Sequence, residues 1–334
     1  MNEQIAVIGA GSWGTTLAVL LAKKGYDVTL WVYEPEQLAE MEDIRENRKY
    51  LPGVMLPEKI RLTGAILAAV TTADYLVMAV PTHAMRSVCE QMTAAISRSH
   101  VVINVSKGIE NMTLKRMSEV IHETLSVPFE RIATLHGPSH AEEVSRGIAT
   151  AVVAASTDLH TARKVRELFF TEYFRVYSSD DIIGVEYGGA VKNVIAIAAG
   201  ICDGAGFGDN TKAALLTRGL VEIARLGTRM GARPETFSGL SGMGDLIVTC
   251  MSKHSRNRYV GEQIGSGKTL DDVLSEMVMV AEGVKTTRSV HQLAEQVDVE
   301  MPISREVYRV LFENKSPHQA VTDLMTREPK EERW

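Results

Sequence analysis

The chain has 334 residues, 45% hydrophobic and 23% charged, with a formal net charge of −6. That length exceeds what one core usually fills, so two domains are expected, and the composition excludes a disordered or fibrous chain. The acidic balance excludes a general attraction to nucleic acid or an anionic membrane, so an anionic ligand needs local cations. Met1-Asn2-Glu3-Gln4 leads straight into an apolar run without a basic, signal-like segment, so a cytoplasmic protein starting here is expected.

Residues 5–14 read IAVIGAGSWG, a strand-type run set against a G-x-G-x-x-G turn. Gly9, Gly11 and Gly14 are where a side chain would block a tight strand-to-helix turn, the approach of a pyrophosphate and helix-to-strand packing. Residues 15–24 are helical in pattern, so their first amides and dipole would point at a diphosphate. A second strand at 28–32 leads to Tyr33 and Glu34, about 20 residues beyond Gly14, where an acid can bind a ribose hydroxyl. Together these elements predict a dinucleotide site.

Further strands are expected at 75–80, 101–105, 132–135, 149–155 and 174–177, alternating with amphipathic helices. The alternation predicts an α/β fold: an N-terminal Rossmann-type domain, 1–180, with a parallel sheet. In such a sheet the loops at Pro81-Thr82, Ser106-Lys107-Gly108 and Gly137-Pro138-Ser139 would rim one crevice. Beyond Asp180 the pattern turns helical, so residues 181–334 are read as an all-helical second domain ending in a loosely held charged tail, 327–334.

Its first segment, 181–203, carries Gly188, Lys192, Ala196 and Gly200 at i+4 spacing. That stripe lets another backbone or a small ligand approach, and Lys192 there is either a desolvated catalytic amine or a snorkelling side chain at a helix contact. The longest apolar run, 184–201, contains Glu186, Lys192 and Asn193, so no membrane insertion is expected.

Further polar groups stand in glycine-rich or apolar surroundings: Lys107, Asp245, Thr249 and the run Ser255-Arg256-Asn257-Arg258. The run suits either a phosphate grip, through bidentate arginine, or a solvated basic turn. Cys89, Cys202 and Cys250 are too scattered for a disulfide framework or zinc site and read as buried thiols. His136 and His140 have the spacing of helical metal ligands, but Gly137-Pro138 breaks the helix. Gly267-Lys268-Thr269 fails as a P-loop because its first glycine is out of phase, and 277–280 reads as core filling.

The ordered segments GAGSWGTTLA, NRKYLPG, VINVSKGIE, LHGPSHAEEV, GGAVKNVIAIAAG, GDNTKAALLTRG, GLSGMGDLIVTC, SRNR and VAEGV span nearly the whole chain. In this set the chain resembles the bacterial NAD(P)-dependent glycerol-3-phosphate dehydrogenases. The resemblance implies reversible hydride transfer between NAD or NADP and sn-glycerol 3-phosphate, giving dihydroxyacetone phosphate, at the head of phospholipid synthesis. By motif match Lys192 is the proton acceptor, with Lys107 and Asp245 beside it in the catalytic set. Lys107, Gly137, Ser139, Lys192, Asp245, Thr249, Ser255, Arg256 and Asn257 would line the substrate. Gly9, Gly11, Ser12, Trp13, Gly14, Tyr33, Glu34, Lys107, Ala141, Arg256, Val280 and Glu282 would hold the cofactor. No metal is implied, and a homodimer is the expected assembly.

The chemistry agrees with that assignment. Oxidising a carbinol releases a hydroxyl proton, and the reverse reaction needs one supplied. A lysine does both if desolvation and a neighbouring cation such as Lys107 lower its pKa from about 10.4. Two other readings remain open: a related hydroxy-acid dehydrogenase, whose substrate carries a carboxylate, and a redox-sensing dinucleotide binder without turnover. For the cofactor, NADP-preferring relatives place a base just after the second strand, where this chain has Tyr33-Glu34. NAD is therefore expected to serve at least as well as NADP with Glu34 discriminating, unless Arg45, Arg48 and Lys49 fold back onto the site.

Overall fold

The structure, a computed structural model, describes residues 3–277, 279–329 and 331–332. The chain divides into two compact units, Met1–Lys107 with Arg116–Ile182, and Gly108–Lys115 with Ile183–Trp334. The short excursion at Gly108–Lys115 was not visible as a boundary in the sequence. It is anchored in the second unit by Ser289, whose hydroxyl donates to Asn111 Oδ1 at 2.7 Å and to the Ile109 carbonyl at 3.3 Å.

The first unit is built on an eight-stranded sheet, β1 (Gln4–Ile8), β2 (Asp27–Trp31), β3 (Ile60–Thr63), β4 (Tyr75–Met78), β5 (Val101–Asn104), β6 (Ile132–His136), β7 (Thr150–Ser156) and β8 (Phe174–Ser179). Their order is β3-β2-β1-β4-β5-β6-β7-β8, so the winding direction reverses between β1 and β4, the switch point where such sheets bind ligands. β4 and β5 are buried at every residue, as strands covered on both faces must be.

Two features differ from the sequence expectation. The edge strand β3, reading IRLT, was not foreseen, because four residues with Arg61 exposed carry no apolar run. The sheet is also not wholly parallel, since β7 runs antiparallel to β6. Only the five-residue helix Ala141–Ser145 separates these strands, whereas the longer helix Leu159–Phe169 returns the chain from β7 to a parallel β8.

The second unit's helices include Ile182–Gly204, Asp209–Arg229, Asp245–Met251, Arg256–Gly265, Glu282–Gln296 and Pro302–Phe312. Helix Ile182–Gly204 is long and apolar enough to cross a membrane, but almost all of it is buried inside the protein. Its small-residue stripe receives other backbones. A Cβ on Gly200 would lie 1.9 Å from the Arg258 carbonyl oxygen, and one on Gly261 would lie 2.0 Å from that of Ile197. Gly188 would meet the Ser241 carbonyl oxygen at 2.5 Å. Only glycine lets helices Ile182–Gly204 and Arg256–Gly265 lie this close.

Part of the Met277–Val280 stretch lies outside the described residues. Met277 packs against the core, but Val280 is exposed rather than core filling. The tail's last two residues and Lys330 are likewise outside the described set, while Arg327 at its start pairs with Glu300.

Candidate active site

At the carboxyl end of β1 the chain turns through Gly9, whose φ of +113° favours glycine, into helix Ser12–Lys23. A Cβ on Gly9 would sit 2.7 Å from the Ala79 carbonyl oxygen, and one on Gly14 would sit 2.0 Å from that of Gly9. Gly11 differs: a Cβ there would meet nothing within 4 Å, so its backbone faces open space at the helix N-terminus. The cap residue Gly11 has no side chain to cap that N-terminus and no acid stands in the first turn, which leaves the helix dipole for an anion. Trp13 Nε1 is a buried donor with no partner among the described residues. These features fit a dinucleotide's diphosphate.

The turn is held from behind by residues the sequence reading passed over. Asn47 Nδ2 and Gln37 Nε2 each donate to the Ala10 carbonyl at 2.9 Å, and Asn47 also donates to Thr15 Oγ1 at 2.8 Å. Both are buried. The backbone N–H of Tyr50 donates to Asn47 Oδ1 at 3.2 Å, so the segment following helix Pro35–Ile44 is tied to the glycine turn. That segment folds back to the end of β2. Lys49 pairs with Glu34, and the Tyr50 hydroxyl donates to Glu34 at 3.0 Å. The hydrogen bond from Lys49 holds the Glu34 carboxyl below its ordinary range. Tyr33 is exposed and meets Trp31 edge-on at 5.9 Å between ring centroids.

Hydrogen bonds join the loops after β4, β5 and β6. The Ser106 hydroxyl donates to the Val80 carbonyl at 2.5 Å, and Lys107 Nζ and Ser139 Oγ each donate to the Gly137 carbonyl at 2.9 Å. Gly137 has φ +149° and its Cβ would strike Val152 Cα at 2.8 Å, so only glycine presents its carbonyl there. Beneath them His136 Nε2 lies 3.0 Å from Thr134 Oγ1 and 3.2 Å from the Ser106 carbonyl. It ends β6, while His140 precedes helix Ala141–Ser145, so they do not share a helix. Among the described residues no cluster suits a metal. Ala141, read as a cofactor contact, is buried at the start of that short helix.

In the second unit Lys192 stands on helix Ile182–Gly204 and is buried with Asp245. Lys192 Nζ donates to Asp245 Oδ1 and to Thr249 Oγ1, both at 2.6 Å, and the side chains are 6% and 1% exposed for Lys192 and Asp245. Asp245 and Thr249 are one turn apart on helix Asp245–Met251, which places both on one face. The Thr249 hydroxyl donates back to the Asp245 carbonyl at 2.6 Å, which leaves its lone pairs for Lys192. A π-helical turn, Leu240–Gly244, leads into Asp245; such turns recur at functional sites. The partners of Lys192 Nζ thus include a carboxylate and a hydroxyl. A buried ammonium is tolerated when it is paired and hydrogen-bonded in this way.

The Ser255–Arg258 run divides its tasks. Ser255 Oγ caps helix Arg256–Gly265 by accepting from the Arg258 N–H at 3.2 Å. Arg258 is structural, bound to Asp203 at 2.6 Å and to Glu262 at 3.3 Å. Asn257 is buried and its Oδ1 accepts from the Gly283 N–H at 2.9 Å, beside Glu282 at the start of helix Glu282–Gln296. Arg256 is exposed and donates through Nη1 to the Val280 carbonyl at 2.8 Å. Elsewhere Thr269 caps helix Leu270–Ser275, so Gly267-Lys268-Thr269 links helices. Burial pushes the Cys202 thiol up to about 11 and that of Cys250 up to about 12, which keeps both protonated and inert.

A glycine-turn nucleotide site in one unit and a buried lysine on a helical second unit define a dinucleotide-dependent oxidoreductase. The N-terminal and C-terminal family models of NAD-dependent glycerol-3-phosphate dehydrogenase match residues 4–162 and 181–322. The chain belongs to that family, whose cofactor is NAD(P). It is 58% identical over 98% of its length to a Prosthecochloris aestuarii protein named glycerol-3-phosphate dehydrogenase [NAD(P)+], 99% of which is covered. A crystal structure of glycerol-3-phosphate dehydrogenase from Coxiella burnetii is 38% identical, with a TM-score of 0.93, covering 98% of this chain and 99% of that one. The ternary structure of D-mandelate dehydrogenase with NADH and anilino(oxo)acetate, 13% identical at a TM-score of 0.65, is matched over 97% of this chain and 100% of that one and shares the fold alone.

Proposed function

We propose that this chain interconverts sn-glycerol 3-phosphate and dihydroxyacetone phosphate in the cytoplasm, as a homodimer, and that its product serves phospholipid synthesis. The observation that carries the chemistry is the buried Lys192, held by Asp245 and Thr249 at 2.6 Å. Hydride transfer to or from the secondary carbon is the chemistry that bound NAD(P) would supply. The chain's own task is the proton. Lys192 Nζ donates it to the ketone oxygen in reduction and takes it from the hydroxyl in oxidation. Asp245 is the positioning residue that keeps the ammonium oriented and compensated.

Arg256 reads the phosphate, with its fork fixed by the Val280 carbonyl, and Asn257 secures the helix start that carries Glu282. The family resemblance assigns Lys107, Gly137 and Ser139 to the substrate, and Ser12, Trp13, Ala141, Val280 and Glu282 to the cofactor. The test is an absorbance assay at the nicotinamide band with glycerol 3-phosphate, glycerol and a 3-hydroxy acid. Turnover with the phosphate ester alone supports the proposal. Turnover with the hydroxy acid favours the carboxylate-substrate reading, and binding without turnover favours the sensor.

A further inference from the structure

Glu34 sits where an acid at the end of β2 would meet the adenosine ribose, yet its carboxylate is already engaged. Lys49 pairs with one oxygen and the Tyr50 hydroxyl donates to the other at 3.0 Å. Glu34 alone would repel a 2′-phosphate and favour NAD, as the sequence suggested. With Lys49 on it, the pair carries no net charge.

We propose that Glu34 and Lys49 form a two-way latch that lets the chain accept both dinucleotides, with Lys49 as the reader of the 2′-phosphate. The inference rests on the dinucleotide site described above. With a free ribose hydroxyl, Glu34 accepts the hydroxyl's hydrogen bond and Lys49 stays on the carboxylate. With a 2′-phosphate, the Lys49 ammonium turns to the phosphate and screens it from Glu34. The turn is cheap because the two side chains are 39% and 37% exposed, and ion pairs in that setting contribute little. Position is nonetheless defined. Asn47 binds the Tyr50 N–H and the Ala10 carbonyl of the glycine turn together, and Arg45 Nη2 anchors the segment to the Pro57 and Ile60 carbonyls at 2.7 and 2.9 Å. Arg45 is thereby used structurally, and Arg48 is 60% exposed beside Glu46, which leaves Lys49 as the base that reaches Glu34.

The test measures the ratio of kcat/KM for NADPH to that for NADH in the full chain, with Lys49→Gln and Glu34→Gln. The latch requires opposite signs: a fall of about tenfold or more for Lys49→Gln and a rise for Glu34→Gln, since each isolates one charge of the pair. Calorimetric binding of adenosine 2′,5′-bisphosphate and of 5′-AMP supplies a readout independent of turnover. Lys49→Gln should weaken the bisphosphate selectively. Shifts of the same sign, or an unchanged ratio with both probes still bound, overturn the latch. If neither probe binds the unmodified protein, the dinucleotide-site assignment itself fails.

Discussion

One lysine–carboxylate pair in each unit stands at a proposed ligand site, and the surroundings of the two differ more than their geometry does. Lys192–Asp245 is almost fully buried, whereas Lys49–Glu34 is open to water over more than a third of each side chain. In the buried pair little of either side chain meets solvent, so each partner depends on the other for compensation. In the exposed pair water competes with the contact, and the partners can separate to meet a ligand. Burial is what the proposed proton transfer asks of the first pair, and exposure is what the proposed latch asks of the second.

Removing one member should expose this contrast. Asp245→Ala strands a buried ammonium and is expected to cost about 3–5 kcal/mol of stability, read from denaturant unfolding. A loss below about 1 kcal/mol would mean that water reaches the pair. Another buried acid, Glu222, sharpens the point because its hydrogen-bond partners are neutral. It accepts from the Ile303 and Ser304 N–H groups at 2.6 and 3.1 Å, yet burial pushes its carboxyl from 4.5 up to about 7. The native state then holds a proton that the unfolded chain releases. Its contribution is full below about pH 4.5 and lost as pH rises through 7, a change on the order of 3 kcal/mol. Unfolding at pH 5 and pH 8 should show that slope in the unmodified protein and a flatter one in Glu222→Gln.

Arg256→Lys is expected to cost about 2 kcal/mol in kcat/KM for glycerol 3-phosphate, since one ammonium cannot replace a two-pronged contact. An equal penalty with unphosphorylated glycerol would show that Arg256 does not read phosphate. At the small end, Lys49→Ala should change stability by less than about 1 kcal/mol while shifting cofactor preference.

Much of this architecture was legible in the sequence because it rests on local patterns. The glycine turn, seven of the eight strands and the small-residue stripe bearing Lys192 each leave a periodic or positional mark. What escaped depends on partners distant along the chain. Asn47 and Gln37 bind a backbone oxygen, so no complementary residue type announced them. Lys192 and Asp245 were both singled out, but their contact spans 53 positions and nothing local fixes it. The direction of β7 was hidden for a related reason: apolar periodicity reports which face is buried and not which way the strand runs.

The central claim is that Lys192 moves the proton, and single-turnover reduction of dihydroxyacetone phosphate by Lys192→Ala, with NADH affinity measured on the same protein, tests it most directly. The account predicts a loss of about 10² to 10⁴ in the rate of the chemical step with NADH binding nearly unchanged. Retention of more than about a tenth of the rate, or loss of NADH binding in step with activity, would contradict it.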